Sequence, residues 1–317
     1  MQWDNTYPAL AALLLTVALT GCRQEPLPVS RDAICFSVES AAEIELETKT
    51  GAPDAQTYTG IRLYGNTATA AVFEGITLTK NTSNAWEYSP LKYWEKGATY
   101  AFRAVYPSQA DITSGSSGSS VVVTFDSEGT NTGTTFTGKY DLMVASAAAV
   151  YADTQAGTPV LLSFRHALTA VRFVFTKSGN DASTACKIKS LKLNNVSSSG
   201  TLTYNGTDVA QDDWAPATVP AEGWSFDVGT SGWTVPTNGY TSQWYYTVPQ
   251  TLSGAKLVYA YDWGGDTGTV ELSLPGPWAP GTAYVYTIDI AMSKVSVQIE
   301  PWDVYSVWVT DIPFPEI

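Results

Sequence analysis

Apolar side chains recur at every second position through much of this sequence, the period of a strand with one face buried. Ile34, Phe36 and Val38 alternate with Cys35 and Ser37, and Ile44 and Leu46 alternate with Glu43, Glu45 and Glu47. Strands are predicted next at 58–64 and 71–78, and another holds Trp86 and Tyr88 ahead of Pro90. In 99–107, Tyr100, Phe102, Ala104 and Tyr106 share one face and Arg103 lies on the other. A Ser/Gly-rich loop is expected at 108–120, a strand at 121–125, a Gly/Thr loop at 126–139 and a short buried run at 140–145. After an apolar run at 160–168, Val171, Phe173 and Phe175 share a face, and 188–193 alternates with Lys187, Lys189 and Lys192. Later strands are predicted at 224–228, 244–248, 256–262, 269–274, 284–290, 295–299 and 304–309. Strands at this spacing with turn residues between them indicate β-sandwiches.

Composition agrees. Aromatics make up 12% of the 317 residues, with 11 Trp and 18 Tyr, and such residues favour pleated sheets over helices. Hydrophobic content of 44% excludes disorder as the overall description. The fold class is all-β. The chain is long enough for two domains, and the polar stretch at 152–159 places the expected boundary between 23–158 and 159–317. A formal net charge of −13 argues against nucleic acid or an anionic membrane surface as partner.

The first twenty-two residues carry a separate signal. Ala9 to Leu19 is an apolar run of 11 residues with one polar member, Thr16. As a helix it would reach about 16 Å, half of a bilayer's hydrocarbon thickness, so it reads as the core of an export signal and not as a permanent span. Leu19-Thr20-Gly21-Cys22 follows and resembles the lipobox of bacterial lipoproteins. That resemblance implies acylation of Cys22 and lipid anchoring in the outer membrane. No Lys or Arg precedes Leu10, a departure from the usual basic start. Residues 23–31, with Pro26 and Pro28, read as a tether. Lys49 follows the first two alternating segments. Cutting there with a trypsin-like protease would release an edge strand and leave a groove with unpaired backbone groups, a site for another strand.

Catalytic chemistry has little to work with. His166 is the sole histidine, which leaves a His-based triad or metal site almost without ligands, and it reads as a hydrogen-bonded structural residue. Asp212-Asp213 beside Trp214 could in principle serve glycoside hydrolysis, and Asp262-Trp263-Gly264-Gly265-Asp266 could bind calcium, though a hairpin turn explains the latter better. Cys35 and Cys186 could bridge in an oxidising compartment, but one pair makes no disulfide framework. Trp214, Trp224, Trp233, Trp244 and Trp263 would suit a glycan-binding surface, since flat rings stack on sugars; sandwich cores need such rings too. No enzyme activity, cofactor or metal is expected.

Together the landmarks resemble the fimbrillin family of Bacteroidetes surface pili. They are the lipobox Cys22, Ile34-x-Phe36-x-Val38, Tyr93-Trp94 before Tyr100-x-Phe102-x-Ala104-x-Tyr106-Pro107, and Asp141-Leu142-Met143-Val144-Ala145. Further on come Phe164-x-His166-Ala167-Leu168 with Val171-x-Phe173, Val248-Pro249-Gln250, and Trp278-x-Pro280-Gly281-x-x-Tyr284-x-Tyr286. The resemblance implies two transthyretin-like Greek-key sandwiches in tandem and a lipoprotein precursor. It also implies removal of the first strand (about 33–49) by cleavage after Lys49, with Arg31 as the competing site, and assembly with other copies or related subunits by strand donation. Trp302 to Ile317 is the expected place for a donated or switchable terminal strand.

Overall fold

Strand β5 (Thr99–Tyr106) shows how the pattern becomes a layer. Tyr100, Phe102 and Ala104 are buried on one side and Val105 on the other, because neighbouring side chains in a strand point to opposite faces. The computed structural model describes residues 33–39, 60–82, 85–113, 115–127, 141–150, 158–178, 183–206 and 208–301. Lys49, Cys22, Arg31, the 44–46 alternation and the strand expected at 304–309 lie outside them.

β5 sits inside a six-stranded antiparallel sheet. Its order is β10 (Arg165–His166), β8 (Met143–Val150), β5, β2 (Ile61–Asn66), β3 (Ala71–Lys80) and β4 (Trp86–Glu87). One face packs on a four-stranded sheet ordered β14 (Trp214–Pro216), β13 (Ser199–Tyr204), β7 (Val121–Asp126) and β6 (Asp111–Ile112). Val105, Val144, Val123, Phe125, Leu202 and Tyr204 fill the space between. The opposite face carries Ile61, Leu63, Phe73, Tyr100 and Phe102, and is closed by a two-stranded parallel pair, β1 (Phe36–Glu39) and β9 (Val160–Ser163).

A second sandwich follows. One sheet runs β17 (Tyr240–Thr241), β11 (Thr169–Thr176), β21 (Thr282–Asp289), β22 (Lys294–Pro301), with β18 (Tyr245–Thr247) also on β11. Its partner runs β15 (Trp224–Phe226), β12 (Cys186–Asn194), β19 (Lys256–Trp263), β20 (Asp266–Ser273), with β16 (Trp233–Val235) also on β12. Phe173, Phe175, Tyr259, Trp278 and Tyr286 fill its core.

Both sheets of the first sandwich draw strands from beyond residue 159. β10 pairs β8, and β13 pairs β7 over six residues. The chain therefore returns to its first half after β12, which a local change in polarity at 152–159 does not reveal. β6 lies inside the expected 108–120 loop, and β8 runs on from the expected 140–145 run to Val150. The all-β reading is borne out. β19 and β20 meet at Gly264-Gly265, both at positive φ, with Trp263 opposite Asp266. Asp262 Oδ1 accepts from the Gly265 N–H at 3.1 Å. This is a two-residue hairpin turn that glycine alone enters without strain. Cys186 is buried and free, so the Cys35–Cys186 bridge is not made.

Candidate functional site: the seat of the first strand

β1 lies in a slot that other parts of the chain build. Ile34 is wholly buried and Phe36 is 3% exposed. Phe36 meets three rings edge-on: Phe102 at 5.4 Å, Phe73 at 5.5 Å and Tyr88 at 6.0 Å between centroids. Edge-to-face contacts of this kind add about 0.5–1.5 kcal/mol each to the area term. The slot is possible because Gly65 of β2 has no side chain. A Cβ there would lie 2.8 Å from Phe102 Cδ1 and 2.9 Å from Phe73 Cδ2, closer than packed carbons come. Trp94 caps the same cluster, 4.8 Å from Tyr100.

The backbone of the slot is paired on both sides. Toward β9, Val160 N–H donates to Cys35 O at 2.7 Å, and the register places Phe36 beside Val160 and Val38 beside Leu162. On the other side, Ile34 N–H donates to Lys92 O at 2.9 Å and Tyr88 Oη–H donates to Ile34 O at 2.7 Å. Ala33 bridges Tyr93. Burial pushes the Tyr88 phenol up to about 12 against the smaller pull of its bond to the Lys92 backbone, so it stays a donor at neutral pH. Cys35, expected on the solvent side, is buried as well. Leu161, between the two buried positions of β9, is half exposed.

The other marked residues fall into structural knots. His166 Nδ1 lies 2.5 Å from Asp141 Oδ2, and Ala167 N–H donates to Leu142 O at 2.8 Å, so those two segments meet at the β8–β10 edge. Gln250 and Trp278 form a two-bond bridge, while the Gln250 side chain grips the Ser197 backbone through Oε1 and Nε2. Trp278 Nε1 donates to Tyr286 Oη at 2.8 Å, which donates on to Pro275 O, and Gly281 N–H donates to Leu168 O. Trp214 and Trp224 are core residues; Trp214 Nε1 donates to Ala167 O. Trp233 is half-buried and stacks on Tyr240, and Arg172 lies over Trp244 at 4.4 Å. Asp213 Oδ2 accepts from its own turn's Ala210 N–H, a local use for one of the paired carboxylates. The ring box around Phe36 was not legible as a box, because Phe73, Tyr88 and Phe102 come from three separate segments. The glycine at 65, between apolar strand positions, was the available signal.

A family profile described as fimbrillin-like matches residues 48–302, starting beyond β1 and covering every later strand. This chain belongs to the fimbrillin-like family. Two solved structures share its fold. A candidate cell adhesion protein from Bacteroides uniformis is 18% identical, covering 85% of this chain and 99% of that one, with a TM-score of 0.54. A second, from Bacteroides ovatus, is 16% identical, covering 86% and 97%, with a TM-score of 0.52. No curated protein matches the sequence. Among the described residues, no helix is long and apolar enough to cross a membrane.

Proposed function

We propose that this fimbrillin-like chain is a non-enzymatic building block of a cell-surface pilus, exported as a lipoprotein acylated at Cys22 and anchored in the outer membrane until it is processed. Cleavage after Lys49 releases β1, Arg31 being the alternative site, and the emptied slot accepts a strand from another copy or a related subunit. On this reading the two layered cores are the family's tandem transthyretin-like sandwiches, the second half lending β13 and β14 to the first. Family membership and the cell adhesion description of both structural neighbours support a fimbrial or adhesive surface role.

The observation that carries the reading is the construction of the slot. Ile34 and, in β1, Phe36 are buried in a cluster whose other members, Val38 apart, run from Ile61 to Phe164, with their backbone tied to Lys92, Tyr88 and β9, and Lys49 lies in the stretch between β1 and β2. Two such side chains contribute about 1.5–3 kcal/mol each, beyond the ladder. A strand with these credentials holds firmly once seated, yet is separable by one cut. The test compares parent and Lys49→Ala precursor after treatment with a trypsin-like protease. Ladders on mild-detergent gels from the parent, and a surface form beginning at residue 50, are expected; equal ladders from the variant would remove Lys49 from the scheme.

The alternative reading, a tethered adhesin or glycan receptor, rests on the half-buried Trp233 and Trp244. Retention on a polysaccharide array that is lost in Trp→Ala variants of these two would favour it.

A further inference from the structure

We infer that the outer face of the second sandwich carries a binding site for a linear acidic polysaccharide, held by the row Lys187, Lys189 and Lys192 on β12. The inference needs neither a cut after Lys49 nor strand exchange, and its residues are distinct from Trp233 and Trp244.

The row follows from the strand and one irregularity in it. Ile188, Leu191 and Leu193 point into the core and are at most 1% exposed. Lys187 and Lys189 are exposed and Lys192 is half-buried. In a regular strand Lys189 and Lys192 would face opposite ways. The register shifts between Ile188 and Ser190, and this bulge keeps both lysines on the solvent side. Ladder partners advance by four steps from Lys187 to Lys192, about 14 Å at the rise of a strand. Neighbouring charges are thus roughly 7 Å apart, within the Debye length of about 8 Å at physiological salt. The three ammonium groups act on a ligand as one field, while the charges behind the net −13 of the chain are screened beyond that range.

The row is not neutralised locally. Among the described residues none of the three lysines is in an ion pair. Asp262 is the ladder partner of Lys187 but accepts the Gly265 N–H of its own turn, and Asp227 Oδ1 accepts the Gly229 N–H.

What flanks the row selects the partner. Its neighbours across the ladders are Ser225 and Thr234 on one side and Val258 and Ala260 on the other. No ring stands among them. A protein partner needs a desolvated anchor such as an aromatic or Arg, and interface cores are poor in Lys. A charged glycan needs the reverse: spaced ammonium groups that stay hydrated, with hydroxyls beside them to meet its own. Duplex DNA shares the anionic chemistry, but it is a stiff rod with a charge every 1.7 Å or so, and the acidic remainder of the molecule repels it. A more sparsely charged chain lying along one strand escapes most of that repulsion.

The test uses the uncut full chain on immobilised heparin, polygalacturonate, neutral dextran and duplex DNA at about 0.15 M salt. Retention on an acidic glycan is expected; heparin alone assigns sulfate as the anionic group, and polygalacturonate shows that carboxylate suffices. Lys187→Gln/Lys189→Gln/Lys192→Gln is expected to weaken retention more than about tenfold and to flatten its salt dependence, with the main thermal transition unmoved. Lys80→Gln/Lys96→Gln/Lys294→Gln removes the same charge from exposed positions elsewhere and is expected to weaken it less than about threefold. Equal weakening by the two variants, no retention of the parent on either acidic glycan, or equal retention on DNA or dextran overturns the inference. So does a parent dimer in sedimentation that dissociates in the first variant, which gives the face to a second copy. Each of these leaves strand exchange standing, and failure of the cut chain to form ladders leaves this site standing.

Discussion

The core beneath β1 and the core of the second sandwich bury the same kinds of residue and are closed in different ways. In the second sandwich, β11 and β21 pair over eight residues and β19 and β20 over eight more, with the core between two five-stranded sheets. Each sheet is built on three long strands, β11, β21 and β22 in one and β12, β19 and β20 in the other. The core over β5 is closed on its outer side by β1 and β9, two strands of four residues that pair only with each other. Burial per side chain is alike; the cooperativity is not. A wall held by a short ladder and two anchors is expected to open before its neighbours unfold. This is the difference a detachable segment requires.

Substitutions at the two cores should separate these behaviours. The largest effect is expected from Trp278→Ala, which empties a wholly buried site and leaves Tyr286 Oη without its indole donor, at about 3–5 kcal/mol. Calorimetry should show it as a fall in the main transition. Phe36→Ala is expected to cost about 3 kcal/mol, read instead as faster hydrogen exchange and proteolysis at β1 and β9 with the main transition little moved. Equal lowering of the main transition by both would erase the contrast. Gly65→Ala drives a methyl into the rings of Phe73 and Phe102 and should cost about 1–3 kcal/mol by overpacking, again seen first as lost protection of β1.

Tyr88→Phe removes one donor to the Ile34 carbonyl and should cost about 1 kcal/mol. It also isolates a pH effect. The folded phenol titrates near 12, above its ordinary value of 10, so between these values the folded state holds a proton that the unfolded state has lost. Its contribution is complete below pH 10 and disappears as pH rises through 12. Opening of the slot should steepen over that window in the parent and flatten in Tyr88→Phe. Leu161→Ser, on the exposed side of β9, should change stability by less than about 0.5 kcal/mol. A larger change would mean that this face of β9 is covered.

Much of this was legible locally. The alternation of Tyr100, Phe102 and Ala104, of Val171, Phe173 and Phe175, and of the lysines in 187–192 gave strands and faces directly, because a strand's period is fixed by its own backbone. The short pieces were not. β6, β13, β14 and β17 hold two to six residues each among Ser, Thr, Gly and Pro, and it is their pairing with longer strands, not their own pattern, that makes them strands. The motif residues were visible as a set, but not that Gln250 reaches Ser197 or that Trp278 donates to Tyr286.

By itself, then, the sequence determined the all-β class, the buried faces of the long strands and the alternating segment ahead of Lys49, since each depends on neighbours within a few residues. The tertiary structure alone decided that β13 returns to β7, that β1 lies parallel to β9, and that Phe73, Tyr88 and Phe102 converge on Phe36. Those contacts join residues distant along the chain, and the free energy that selects them comes from burying surfaces that exist only after the strands have formed.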